Sequence, residues 1–398
     1  MTTITNDDVQ TTKYLNLSYL SFFVAIGAFS IGVDAYIVAG LLPEISLALK
    51  VSLSSVGLLI SSYMLCYGLL SPILSILAAN FRVKTILTFS LLIFVSANLL
   101  SAFAPSFIYI LISRVIAGIG AGLYMPVALT TIVSLAPEHK KGHYLGVVFG
   151  GMASGTITGV PIGLLLVIHF GWHIGFLFVS LLGVIALVMQ FLSLPNIRIK
   201  APPSIRERLA VFKNKNILFV ITVSTLCAMG GLSIYSYLPL ILKSIGTSQN
   251  AIVIDIFTWG IGGLFGSFMS GRILDLIKNP FLMSSITIAM ILVSITIIPL
   301  IQNLHYVLLV ALFLWGMAGW GLQVPQQFLI HKFAPNYGAI ALSLALSMRY
   351  LGIAVGTAAV SLILSYGIQP KSLPFISGVV IAVALFTHLF FMRRGRSN

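Results

Sequence analysis

The sequence predicts an all-α membrane protein of twelve transmembrane helices, arranged as two pseudo-symmetric six-helix bundles. Three observations carry this. Hydrophobic residues make up 59% of the 398 and charged residues only 8%, far from the balance of a water-soluble domain. Uncharged runs of about 20 residues or more recur along the chain, the length that crosses a bilayer core. The 22 Lys and Arg gather in short segments between those runs, on alternate turns.

Residues 1–15 are polar and read as a cytoplasmic tail. The first apolar run lacks a small-residue cleavage site and leads into further spans, so it reads as a helix rather than a removed signal. Spans are expected at 16–42, 53–78, 84–104, 107–135, 142–168, 172–194, 216–242, 251–277, 281–301, 305–330, 338–366 and 373–392. Outside Arg114 and Arg349, 17 basic residues fall on one side and 3 (Lys50, Lys243 and Lys371) on the other. By the positive-inside rule both termini are cytoplasmic, in a multi-pass protein of the cell inner membrane. The net charge of +14 therefore reflects topology and implies no nucleic-acid partner.

The longest polar connection, 195–215, holds six basic residues and the adjacent Pro202 and Pro203. It separates an N-terminal bundle, 16–194, from a C-terminal bundle, 216–392, with a short tail at 393–398. Span five carries Gly151, Gly155, Gly159 and Gly163 at every fourth position, with Pro161 among them. On a helix these glycines form one smooth stripe, and the proline predicts a bend. Span eleven repeats the spacing as Gly352 and Gly356, and span eight as Gly262 and Gly266. Six plus six with echoing motifs is the pattern of parallel repeats. The stripe reads either as a static packing seam or as a surface on which two halves rock.

Span one runs from Phe29 through Asp34, Tyr36 and Gly40 to Pro43-Glu44; span four carries Arg114-x-x-x-Gly118. These stretches resemble the major facilitator superfamily, most closely its twelve-helix drug:proton antiporter branch and its arabinose-efflux-like permeases. The glycine–proline stretch of span five resembles a motif of exporters, and Gly171-Trp172-His173 resembles the entry to span six, with His in place of Arg. One loop departs: Ala79 stands where the family's loop between spans two and three carries an acid, whereas Asp275 keeps the second-half counterpart. The resemblance implies a secondary active transporter working by alternating access, with proton-coupled efflux of a small organic molecule: an anionic or zwitterionic metabolite, or a drug. The spans of the glycine stripes are expected to pack five against eight and eleven against two. Asp275 is expected to close the cytoplasmic side against the start of span five, near Lys141 and His143, so it joins the glycines and Pro161 as a gating residue.

Charges inside spans each cost about 2.5–3.5 kcal/mol on insertion scales, so they face protein or water and mark function. Asp34 and Arg114 are candidates for proton coupling, the role of Arg114 resting on the resemblance. Arg349, in span eleven, reads as an anchor for an anionic substrate or as a structural partner for Asp34. Asp34 itself, Tyr36, Tyr63, Tyr67, Tyr124, Tyr235, Tyr237, Trp259, Trp315, Gln323 and Gln326 complete the substrate candidates, offering stacking faces and hydrogen bonds without fixed charge. Asp255 reads as a helix-end residue. Two intramembrane Arg against one Asp weakly favour an anionic or zwitterionic ligand.

No cofactor is expected, and no metal: His139/His143 and His169/His173 are four apart but lack a neighbouring acid or Cys ligand. No reactive constellation suggests an enzyme. Cys66 and Cys227 lie in apolar runs and read as buried thiols. The expected partners are a small molecule, protons and the bilayer, for a monomer. Uncoupled import or facilitated diffusion is the alternative.

Overall fold

The structure, a computed structural model, describes residues 17–78, 81–137, 140–194, 213–301, 304–333 and 338–394. Among them, twelve helices are long and apolar enough to cross a membrane, and no strand occurs. They are α1 (Leu17–Leu49), α2 (Leu53–Leu74), α3 (Val83–Ala102), α4 (Phe107–Ile132), α5 (His143–Phe170) and α6 (Trp172–Ser193). The second set is α7 (Lys215–Tyr235), α8 (Gln249–Ile277), α9 (Pro280–Leu300), α10 (His305–Phe333), α11 (Ala341–Ser365) and α12 (Pro370–Met392). The tail 1–15, most of the 195–215 connection, Ala79 and His139 lie outside the described residues.

Proline explains two departures from regular α-helix. Pro161 has no N–H to offer the carbonyl of Ile157, four residues back. The chain answers with a π-helical turn, Gly155–Gly159, in which the N–H of Val160 reaches the carbonyl of Gly155. Pro239 likewise cannot serve the carbonyl of Tyr235. There α7 stops, after its own π-helical turn at Ala228–Leu232, and a short helix follows at Leu238–Ser244. The expected span 216–242 is thus broken near its end. α1, by contrast, continues through Pro43 to Leu49.

Glycine places the helices, but not where the sequence suggested. A Cβ on Gly151 or Gly155 would run into the main-chain carbonyls of Ala25 and Phe29, and one on Gly159 or Gly163 into Val33 and Ile37. These four partners are themselves every fourth residue of α1. Gly32 returns the contact against the carbonyl of Met152, and the Thr156 hydroxyl donates to the carbonyl of Gly32 at 3.2 Å. The span-five stripe is therefore an α1–α5 seam inside the first half, not a surface against α8. Gly352 and Gly356 of α11 sit the same way on the carbonyls of Thr225 and Met229 in α7, not on α2. Close approach needs backbone on both sides, and α1 and α7 supply it.

The same contacts reveal the repeat. The α1–α5 seam is matched by α7–α11. Gly118 of α4 abuts the Tyr63 carbonyl of α2 as Gly316 of α10 abuts the Trp259 carbonyl of α8. The α3–α6 pair is matched by α9–α12.

Different faces join the halves. Along α2 and α11, Gly68 approaches Ser347 and Leu351, Ser61 bonds Thr357 at 2.9 Å, and the Ser361 hydroxyl donates to the Ser54 carbonyl. Along α5 and α8, Gly260 lies against the carbonyl of Ile157, the residue four before Pro161. Toward the basic turns the two helices part: Gly146 and Gly150 of α5 and Gly271 of α8 have nothing within 4 Å of where a Cβ would stand. The described arrangement is closed on the side opposite the basic turns and open toward them. Gly260→Leu should prise α8 from α5 and lengthen the distance between spin labels at Leu47 and Tyr306, both exposed on that closed side. An unchanged distance distribution would show that this contact does not hold the halves.

Candidate substrate and proton site

The N-terminal half buries an ion pair at the centre of a polar network. α1, held close by the glycine seam, presents Asp34; α4 presents Arg114, and both side chains are at most 1% exposed. Arg114 Nη1 donates to Asp34 Oδ1 at 2.8 Å, while Nη2 donates to Asn98 Oδ1 at 2.7 Å and to Ser101 Oγ at 3.0 Å. Ser101 in turn shares a 2.5 Å hydrogen bond with Ser113. The guanidinium also lies 4.8 Å from the Phe176 ring and 5.9 Å from that of Tyr63. Asp34 is thus the partner of Arg114, and the alternative pairing with Arg349 is excluded. Asp34 Oδ2 and Arg114 Nε have no hydrogen-bond partner. A buried carboxylate oxygen in that condition is a place for a proton.

Two aromatic chains cross between the halves. Tyr36 of α1 meets Tyr235 of α7 edge-on at 5.2 Å, and Tyr235 stacks on Trp259 of α8 at 3.9 Å. Trp315 of α10 closes on Trp259 at 5.9 Å. The second chain runs from Tyr63 to Tyr67 in α2, and Tyr67 stacks on Tyr350 of α11 at 4.0 Å. Tyr350 also points its hydroxyl at the Met152 sulfur of α5, 3.8 Å away. Arg349 lies where the chains converge, its electrostatic neighbours being Tyr36, Tyr350 and Cys227. It is half-buried, and no acceptor or carboxylate among the described residues pairs with it. The hydroxyls of Tyr63, Tyr67 and Tyr235 and the indole N–H of Trp259 are buried and also unpartnered. Charged and polar donors without acceptors, beside flat apolar faces, are what an organic ligand completes.

Other candidates fall elsewhere. Tyr124 donates to the Val24 carbonyl at 2.9 Å and receives from Gln190 at 2.6 Å, so it fastens α4 to α1 and α6 within one half. Tyr237 donates to the Thr357 carbonyl at 3.0 Å, with Gly57 of α2 against its hydroxyl; it seals the closed seam. Gln323 is half-buried beside the turn at Leu322, and Gln326 is buried with an unpartnered amide nitrogen. Asp275 is exposed and forms no ion pair among the described residues; the basic ends of α5 and α8 stand apart here. His169 and His173 bond the carbonyls of Leu165 and Ala102, not each other. Cys227 is buried, whereas Cys66 is only half-buried.

Sequence reasoning missed Asn98, Ser101 and Tyr350. Asn98 carried a signal, as the lone side-chain amide of its span, and Tyr350 adjoins Arg349. Asp255 was misplaced: its side chain is fully buried, two turns inside α8. With it counted, Arg and Asp inside the spans balance, so the charge sum no longer favours an anion. The unpaired state of Arg349 does.

Twelve spans in two matching halves, with unpartnered charge and aromatic faces where the halves meet, define a membrane transporter. The family model of the Major Facilitator Superfamily matches residues 24–357, and the chain belongs to that superfamily. Its members are transporters and not enzymes. The Escherichia coli K12 inner membrane transport protein YdhP is 28% identical over 93% of this chain and 95% of its own. A probable sugar efflux transporter of Helicobacter acinonychis is 24% identical, over 94% and 95%. The crystal structure of a D-xylose-proton symporter superposes with a TM-score of 0.78 at 16% identity, covering 94% of this chain and 97% of that one.

Proposed function

We propose that this chain is a proton-coupled exporter of a small organic anion or zwitterion, working by alternating access between its two six-helix bundles, with both termini in the cytoplasm. The observation that carries the ligand class is Arg349: a half-buried guanidinium where the halves meet, with Asp34 already committed to Arg114. A guanidinium in such a place gains most from a carboxylate, which it grips through paired N–H donors. The rings of Tyr36, Tyr67, Tyr235 and Tyr350 then supply the surface for the ligand's body. Asp34, with one oxygen unpartnered, is the proton carrier. Gaining a proton weakens its hold on Arg114, and the network of Asn98 and Ser101 transmits that change to α3 and α4. Export as the direction rests on the resemblance of the glycine–proline stretch in span five and on a relative named as an efflux transporter.

The test is ligand binding to purified protein, followed by thermal shift, with benzoate, glucuronate, xylose and tetraphenylphosphonium as probes. A carboxylate should stabilise the wild type, and Arg349→Ala should weaken it by about 30-fold or more, the loss expected for a buried charged hydrogen-bond partner. Stabilisation by tetraphenylphosphonium that disappears in Asp34→Asn would overturn the anion reading and point to a lipophilic-cation exporter. Transport of the bound probe that ignores an imposed pH gradient would leave the anchor and remove the coupling.

A further inference from the structure

The second half holds a buried acid of its own. Asp255 lies two turns into α8 on the closed side, with its side chain at 0% exposure and neither carboxylate oxygen hydrogen-bonded. His305, the first residue of α10, brings Nδ1 to 3.9 Å from Asp255 Oδ1, and its own side chain is 45% exposed. α8 and α10 run parallel and are locked by Gly262, Gly266 and Gly316, so the distance is set by a rigid seam. One turn further in, Trp259 stacks on Tyr235, which meets Tyr36 across the halves. The arrangement leads from water, through an accessible imidazole, to a buried carboxylate, and ends beside the aromatic chain at the interface.

We propose that Asp255 and His305 form a second proton-binding site, separate from Asp34 and loaded from the side opposite the basic turns. Neither oxygen of Asp255 has the hydrogen-bond donor that a permanently ionised carboxylate needs inside a membrane protein. An imidazole has two ring nitrogens, one to receive a proton and one to release it, so His305 can relay a proton inward. Among the described residues, no other charged group competes for the position. Lys243 of the short helix faces Glu44, His169 of α5 is engaged with its own helix, and Asp275 and Arg272 lie at the far end of α8. α9 carries no titratable residue, and the Tyr235 of α7 is packed on Trp259. In the matching register of the first half, where Tyr63 stands for Trp259 and Gly118 for Gly316, leucine and phenylalanine (Leu59 and Phe107) replace the pair. The site belongs to the second half alone. It extends the proton-coupled reading and rests on it for its use in transport, though not for the ionisation itself.

Infrared titration of the reconstituted full-length protein tests this without any substrate. The chain has only 8 Asp and Glu, so the carbonyl stretches of protonated acids are few enough to assign. A band that titrates in the wild type should be lost in Asp255→Asn, return in Asp255→Glu, and have its midpoint displaced by about a pH unit in His305→Gln. A purely structural Asp255 gives no such displacement: bands in Asp255→Asn that superimpose on the wild type, or a midpoint indifferent to His305→Gln, would overturn the proposal. Asp34→Asn separates the readings. If it removes a different band and the Asp255 band is absent, coupling at Asp34 stands and the second site falls. If only the Asp255 band exists, the second site stands and Asp34 loses its role.

Discussion

Arg114→Ala is expected to lower stability by about 3–5 kcal/mol, the range for breaking a buried pair from one side. The arginine holds three acceptors at once: Asp34 in α1, and Asn98 and Ser101 in α3. Removing it leaves Asp34 without a cation, in a place where none of the described side chains can replace one. The neighbouring Phe176 and Tyr63 rings also lose the planar group they flank. The double variant Asp34→Asn/Arg114→Ala should be less damaged than Arg114→Ala alone, because a neutral amide in place of the carboxylate relieves the orphaned charge. Reversible unfolding in mixed micelles, followed by circular dichroism, measures both. A single variant as stable as the wild type would mean that water reaches the site. A double variant as unstable as the single would mean that Arg114 acts through packing alone.

The sequence was most informative where the bilayer imposes a rule. Hydrocarbon demands long apolar helices, and translocation sorts Lys and Arg by side, so twelve spans could be read from one line of text. Asp34 and Arg114 stood out because charge inside a span is rare. What could not be read was azimuth. A glycine stripe tells that some helix comes close, but any helix offers carbonyls, and the choice of α1 over α8 is made by how six helices share the space of one half. Asp34 and Arg349 posed the same difficulty: two opposite charges at comparable depth read as possible partners until rotation placed Asp34 toward α4. Asp255 failed for the converse reason. Two turns from a helix start looks like the surface, but the outer ends of α8 and α10 pack so closely that it is not. Tyr124 and Tyr237 show the limit for aromatic residues. A tyrosine in a span reads alike whether its hydroxyl meets a ligand or a neighbouring carbonyl.

Gly155→Ala should be a costly single-methyl change, and Gly150→Ala, five residues away on the same helix, should be harmless. At Gly155 a Cβ would meet the Phe29 carbonyl carbon at 2.9 Å and the Val33 nitrogen at 3.1 Å. Both are backbone atoms and cannot turn aside, so α1 must move as a unit. Forced overpacking of this kind costs about 1–3 kcal/mol. At Gly150 nothing lies within 4 Å, and exchanging glycine for alanine in a helix is favourable by up to about 1 kcal/mol. The two variants add the same methyl to the same span, so hydrophobicity and insertion are held constant and only the neighbour differs. Displacing α1 also moves Asp34 and Tyr36, which follow Phe29 within two turns, so ligand binding at Arg349 should weaken along with stability in Gly155→Ala. If the two variants unfold at the same temperature, α1 and α5 are not in close contact and the seam must lie elsewhere. If Gly155→Ala alone is destabilised but binds its ligand normally, the seam is scaffold only. A fall in both would make the α1–α5 contact what sets the position of Asp34 and Tyr36.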